Sequence, residues 1–284
     1  MGTLCVVATP IGNLEDISPR ALRSLAEADR IFAEDTRRTR ILLDRYQIDA
    51  KPISLHEHNE ASRIEGVLEL LREGRAIALV SDAGTPLVSD PGGRLVAAAI
   101  EDGHEIESIP GPSAVLSALT VAGLGAAPFT FLGFLPRTKG ARAGLLNSYL
   151  ARPETLVIFE SPRRVHDTLL ALAQCFERRR GCVARELTKL HEEIVRGSLG
   201  ELAAHFADGA RGEITIVVEG GSDLDEKVAG QVMLGDEELT EKLRGLLASG
   251  RRPREIAALV AGETAIPRKQ LYAKLLALKD EESP

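Results

Sequence analysis

The sequence predicts an α/β protein made of two α/β domains and a small all-helical C-terminal segment. Three observations carry this reading. Apolar runs of strand length alternate with longer amphipathic runs over residues 1–220. These runs are apolar throughout rather than at every second residue, the pattern of a sheet covered on both faces. Beyond residue 238 the spacing of apolar residues is helical only.

In chain order the expected strands are Leu4–Ala8, Arg30–Ala33, Ala76–Val80, Phe129–Leu132, Leu156–Phe159, Cys182–Ala184 and Ile214–Val218. Ser18-Pro19 reads as a helix N-cap followed by proline at the first helical position. Helical spacing recurs at Ile64, Val67, Leu68 and Leu71, and at Val115, Leu116 and Leu119. A further helix is expected from near Pro91. The stretch from Leu135 carries Arg137, Lys139 and Arg142 and no acid, and the domain boundary is placed there, giving domains 1–135 and 136–221. Tyr149–Pro153 is a second breaker and the alternative boundary. Residues 222–238, rich in Gly and Asp, read as a linker, and 239–284 as a helical extension with possible RNA contact.

Composition narrows the classes. The chain has 284 residues, 44% hydrophobic and 27% charged, enough to bury a core. No apolar run approaches the ~18–20 residues of a membrane helix, so no membrane association is expected. The N-terminus enters a strand pattern without a basic leader. Cys5, Cys175 and Cys182 suit neither a disulfide framework nor a zinc site, and a cytoplasmic location is expected. The 35 basic and 42 acidic residues leave a net charge of −7, which argues against indiscriminate coating of nucleic acid. A local basic patch stays open, since 27 of the 35 cations are arginine.

The chemistry is expected in loops. Ser81–Gly93 leaves a strand and enters a helix, and its small residues let a ligand approach the backbone. Thr9–Ser18 and Pro110–Ala114 are two more Gly- and Pro-rich loops. In open α/β sheets such strand-end loops gather around one crevice. The chain lacks both G-x-x-x-x-G-K-[ST] and G-x-G-x-x-G, which disfavours a nucleoside-triphosphate or nicotinamide enzyme. His56 and His58 form a His-x-His pair without an evident third ligand, so no metal is expected.

The three loops resemble the signature loops of the tetrapyrrole-methylase superfamily, the class III S-adenosylmethionine-dependent methyltransferases. The runs Ala8–Leu14, Glu34–Arg37, Ser81–Pro86, Phe159–Arg164 and Ala184–Lys189 are similar to the bacterial branch that 2′-O-methylates cytidine 1402 of 16S rRNA. The likeness covers roughly residues 3–220, and the last helices resemble that branch's extension. It implies a cofactor cleft between two α/β domains, S-adenosylmethionine as cofactor, 16S rRNA in the small ribosomal subunit as partner, and a homodimer. Carried over, Pro10, Ala83, Gly84, Thr85, Val88, Ser113 and Ala114 contact the cofactor from the first domain, and Phe159, Glu160 and Leu187 from the second. Gly84-Thr85-Pro86 stands where many relatives have Gly-Asp-Pro, and Asn13 where they often have Asp.

The remaining motifs concern the acceptor. Arg37 and Arg38, Arg163 and Arg164, and Arg251 and Arg252 are candidate phosphate contacts, against the alternative of solvated helix turns. Ser161-Pro162 reads as a cap and proline opening a helix. Ser249–Lys274 holds six cations against two acids at a spacing close to helix-turn-helix, against the alternative of a stabilising bundle. Asp35 and Glu160, acids at strand ends, are the candidate general bases; either is equally a cap or an arginine ligand. The rival activities are C-methylation of a tetrapyrrole precursor and non-catalytic ribosome binding.

Overall fold

The computed structural model describes residues 2–150, 152–221, 236–249, 251–263 and 268–281. The first sheet has the order β3-β2-β4-β1-β5 and is parallel throughout. Its strands are β1 (Thr3–Val7), β2 (Arg30–Ala33), β3 (Ile53–Ser54), β4 (Ala76–Val80) and β5 (Glu105–Ile109). The helices between and after them are α1 (Pro19–Glu27), α2 (Thr36–Arg45), α3 (Glu60–Arg72), α4 (Gly93–Glu101) and α5 (Ala114–Ala122). The strands' continuous apolarity is explained by their two faces. In β4, Ala78 and Val80 join Leu25 and Leu43 in one core, while Ile77 and Leu79 join Leu71 and Leu95 in another.

The second sheet has the order β6-β7-β10-β8-β9. It contains β6 (Phe129–Phe134), β7 (Thr155–Glu160), β8 (Arg180–Arg185), β9 (Glu193–Ser198) and β10 (Ile214–Val218), with α6 (Lys139–Asn147), α7 (Val165–Cys175) and α8 (Leu199–His205). Only the β6–β7 pair is parallel; the rest is antiparallel. The strand β6 already pairs with β7, so the chain crosses between sheets before Phe129, ahead of the boundary expected at 135. The polar stretch after Leu135 is the connection to α6, not a domain border.

Two strands escape the apolar pattern, and a third, β5, shows only through its exit loop. β3 is two residues long, while β5 and β9 are sheet edges that carry glutamates and are partly solvated. Of the expected linker, residues 222–235 lie outside the described residues, and α9 (Asp236–Ala248) begins within its last part. With α10 (Pro253–Glu263) and α11 (Arg268–Glu281) it forms a separate core around Leu243, Ile256, Val260, Leu271 and Leu275.

The helix α5 joins the halves. It follows β5 of the first sheet, yet Val115, Ala118, Leu119 and Ala122 pack on Val157, Cys182, Ala184 and Val217 of the second. Its C-terminus ends in the left-handed Gly123 (φ +70), and the Arg196 guanidinium of β9 donates to the Val121 and Ala122 carbonyls. A cation on exposed carbonyls at a helix C-terminus complements the helix dipole. Leu119→Ala removes a side chain that is 5% exposed from this shared core. We expect it to lower stability by about 2–5 kcal/mol in urea unfolding, and to weaken ligand binding at the other end of the helix. A loss below about 1 kcal/mol would show that α5 is not the joint.

Candidate functional site

Three loops leave the C-terminal ends of β1, β4 and β5, and hydrogen bonds clip them into one unit. The Thr9 N–H donates to the Gly84 carbonyl at 2.8 Å, and the Gly84 N–H donates back to Thr9 at 3.0 Å. The Thr85 hydroxyl reaches the Pro112 carbonyl of the third loop at 3.3 Å. Gly84 has a φ of +79°, which glycine adopts without strain. Leu87 and Ser89 hold φ values of 74° and 69°, conformations that cost about 1–3 kcal/mol each and cluster at ligand sites.

The clipped loops form one wall of a cavity of about 390 Å³, within the range of small-molecule sites. Ala83, Gly84, Thr85, Val88, Ser113 and Ala114 line it from the first domain, and Phe159 and Glu160 from the second. Ser113 caps α5, accepting from the Leu116 N–H at 3.5 Å, so the helix N-terminus opens on the cavity. Leu187 lines a small adjoining pocket that shares Ile11, Ala114 and Thr215 with the main one. Pro10 lines neither; it is buried, and its neighbour Ile11 is the residue facing the cavity.

The expected acids are committed elsewhere. Asp35 caps α2, accepting from the Arg37 N–H at 2.9 Å, and takes two further bonds from the Arg37 guanidinium. Those bonds pull its carboxyl down to about 2, far from a base poised for neutral pH. The Glu160 side chain is wholly buried. It accepts from the Thr168 hydroxyl at 2.7 Å and the Ser161 N–H at 2.7 Å, and pairs with Arg164 at 3.3 Å. It braces the turn from β7 into α7. That helix begins at Val165, not at Pro162: the Ser161 carbonyl, not its hydroxyl, accepts from the Arg164 and Val165 N–H groups.

Four other carboxylates line the cavity, Glu34, Asp82 and Asp90 on one side and Glu213 on the other. Burial, reinforced by the Asp82 charge, pushes the Asp90 carboxyl up to about 6. Burial and the charges of Asp82 and Asp90 raise Glu34 as well. A buried carboxyl brought toward neutral pH is what proton transfer needs. A legible signal for Glu34 exists in the sequence. Asp35 stands immediately before Thr36-Arg37-Arg38, the N-cap position, which commits its side chain and leaves Glu34 at the strand end to face the crevice.

The arginines divide. Arg38 lines the cavity and spans it, 3.7 Å from Asp82 on one wall and 4.0 Å from Glu213 on the other. Arg37 is held by Asp35, and Arg164 by Glu160 and the Leu135 carbonyl at 2.8 Å. Arg163, Arg251 and Arg252 are exposed and lie outside the cavity. Among the described residues no three His, Cys, Asp or Glu side chains are grouped to hold a metal, and no helix is long and apolar enough to cross a membrane.

Comparison with known proteins places this geometry. Residues 3–203 match the family described as Tetrapyrrole (Corrin/Porphyrin) Methylases. A relative from Halalkalibacterium halodurans is 43% identical over 95% of this chain and 93% of its own. One from Thermotoga maritima is 48% identical over 78% of this chain and 99% of its own. Both are named ribosomal RNA small subunit methyltransferase I. Among solved structures, the methyltransferase CobJ superposes with a TM-score of 0.59 at 22% identity, over 78% of this chain and 95% of that one. The uroporphyrin-III C-methyltransferase of Thermus thermophilus does so with 0.55 at 21%, over 83% and 100%. These two likenesses are of fold. The chain belongs to the tetrapyrrole (corrin/porphyrin) methylase family, and within it groups with the relatives named ribosomal RNA small subunit methyltransferase I.

Proposed function

We propose that the protein transfers a methyl group from S-adenosylmethionine to the 2′-hydroxyl of a decoding-centre cytidine, position 1402, in 16S rRNA, acting as a cytoplasmic homodimer. The observation that carries the reading is the name shared by relatives alike over nearly the whole chain, joined to an intact cleft. For the cofactor, the Thermus thermophilus relative in fold was solved complexed with S-adenyl homocysteine. The cavity suits such a group: Gly84 leaves the backbone approachable, and Glu34, Asp82 and Asp90 favour a cation.

When bound, the cofactor supplies a methyl group already activated on a sulfonium. The clipped loops and α5 orient it, and the chain's other task is to align the ribose oxygen and take its proton. Asp90 is the carboxylate suited to that task, since it lines the cavity and ionises near neutral pH. Arg38, spanning the cavity, is placed to meet a phosphate of the acceptor nucleotide.

The decisive test incubates small subunits from cells lacking this gene with the protein and methyl-labelled S-adenosylmethionine, then maps the product by mass spectrometry. A 2′-O-methyl mark on the cytidine is expected. Measurable cofactor binding with no label in subunits or naked rRNA would move the reading to a small-molecule acceptor such as a tetrapyrrole. For Asp90 the base form is the ionised one, so the single-turnover rate should climb as pH rises through about 6 and level off above. Asp90→Asn should lower the plateau by about 10²–10⁴-fold and abolish that limb; a retained limb would assign the proton to another group. Glu160→Ala should instead lower stability by about 2–4 kcal/mol, because Arg164 and Thr168 lose their buried acceptor.

A further inference from the structure

Among the described residues two buried arginines lie outside the cleft, and the fold treats them differently. Arg179, 3% exposed, donates to the Tyr149 carbonyl at 3.0 Å and the Leu150 carbonyl at 2.7 Å. Arg142, on α6, is 8% exposed, yet its guanidinium has no hydrogen-bond or ion-pair partner among the described residues. None of its nitrogens is fully buried without a partner, so the charge stays open to an incoming anion. Arg142 lines a groove of about 350 Å³ between α6 and α7.

The groove's chemistry points to an anion. Lys139, three residues before Arg142 on the same helix, lines it too. Leu146, Leu170 and Ala171 give it apolar walls, and Leu170 is 41% exposed. Asp167 is the one carboxylate among the lining residues and makes no ion pair with Arg142. It can accept a bond from a sugar hydroxyl but would repel a phosphate held beside it. The groove also stands near the cleft along the chain: Ser161 and Pro162 line the cavity, exposed Arg163 follows, and Asp167 is already in the groove wall.

We propose that the α6–α7 groove is a second RNA subsite, in which Arg142 and Lys139 hold a backbone phosphate of a nucleotide flanking the one whose ribose enters the cleft. A guanidinium fork matches a phosphate's oxygens, and Lys139 adds a point charge. The proposal rests on rRNA being the acceptor. It gives a role to the acid-free run through Arg137, Lys139 and Arg142, which the cavity does not use.

The test compares the full-length protein with its Arg142→Met, Arg142→Lys and Leu170→Glu variants in methyl transfer to unmethylated small subunits across a salt series. Arg142→Met should raise KM for the subunits about tenfold or more and reduce the slope of log KM against log salt by about one. Its kcat and its Kd for S-adenosylmethionine should not change. Arg142→Lys should restore most of the salt slope, and Leu170→Glu should raise KM by charge repulsion. The melting temperature of Arg142→Met should match the wild type, since no partner within the fold is lost; a structural arginine would lower it. Unchanged KM and slope in Arg142→Met and Leu170→Glu, with a wild type that methylates, would overturn the subsite alone. A raised KM with an unchanged salt slope would also overturn it, by assigning the groove a neutral contact. No methylation by the wild type would instead remove the rRNA reading, and the subsite with it.

Discussion

Everything at the cleft depends on the packing of α5 against the second sheet. This one helix has its N-terminus in the ligand wall, at Ser113 and Ala114, and its apolar face on Val157, Cys182, Ala184 and Val217. The apolar face of α5 needs cover, while Leu116 and Thr120 on its other side are exposed. Here the second sheet supplies the cover, so forming the core and setting the distance between the cavity's walls are one event. The third loop is then fixed by α5, the second by Thr85 on Pro112, and the first by the Thr9–Gly84 pair. The strained residues Leu87 and Ser89 persist inside this frame because the clips around them over-determine the loop.

Much of this was legible because apolar residues report their neighbours. The central strands β1, β4, β7, β8 and β10 are largely covered on both faces, so each holds an unbroken apolar stretch and the run stands out. The edge strands β5 and β9 have solvent on one side and carry glutamates, and their signal vanishes. Ser18 was readable as a cap from its own residue type, and its hydroxyl does accept from the Ala21 N–H. Ser161 misleads because the same dipeptide, Ser-Pro, here makes a turn closed by the serine carbonyl. At the site, residue type alone does not distinguish Glu34 from Asp35, or Asp90 from Asp82. What separates them is which carboxylate is spent on a helix cap and which is buried near another negative charge, and burial is a property of the fold.

Charge placement follows a single requirement. On the proposed reading the cofactor is a sulfonium cation and the acceptor a polyanion, so the two need opposite potentials within one binding event. The structure puts carboxylates on the first-domain lip of the cavity, where burial and the neighbouring charges of this acidic group raise Glu34 and Asp90. The same negative lip would repel a phosphate chain that entered it unaccompanied. Arg38, pinned between Asp82 and Glu213, is the cation the cavity itself provides. The net charge of −7 is thus no obstacle to an RNA substrate, because what matters is where the arginines stand.

Several described cations that make no ion pair lie outside the cavity lining. Arg163 is exposed at the turn into α7, Lys139 and Arg142 line the groove that α7 shares with α6, and Arg251 and Arg252 are exposed ahead of α10. Arginines that serve the fold carry partners instead: Arg164 on Glu160, Arg179 on backbone carbonyls, Arg196 on the end of α5. A guanidinium that the fold needs is satisfied within the fold, whereas one left without a partner at the wall of a groove is available to an incoming anion. On the proposed reading, the affinity for a phosphate chain is built outside the cavity, and the cavity is left negative for the methyl donor.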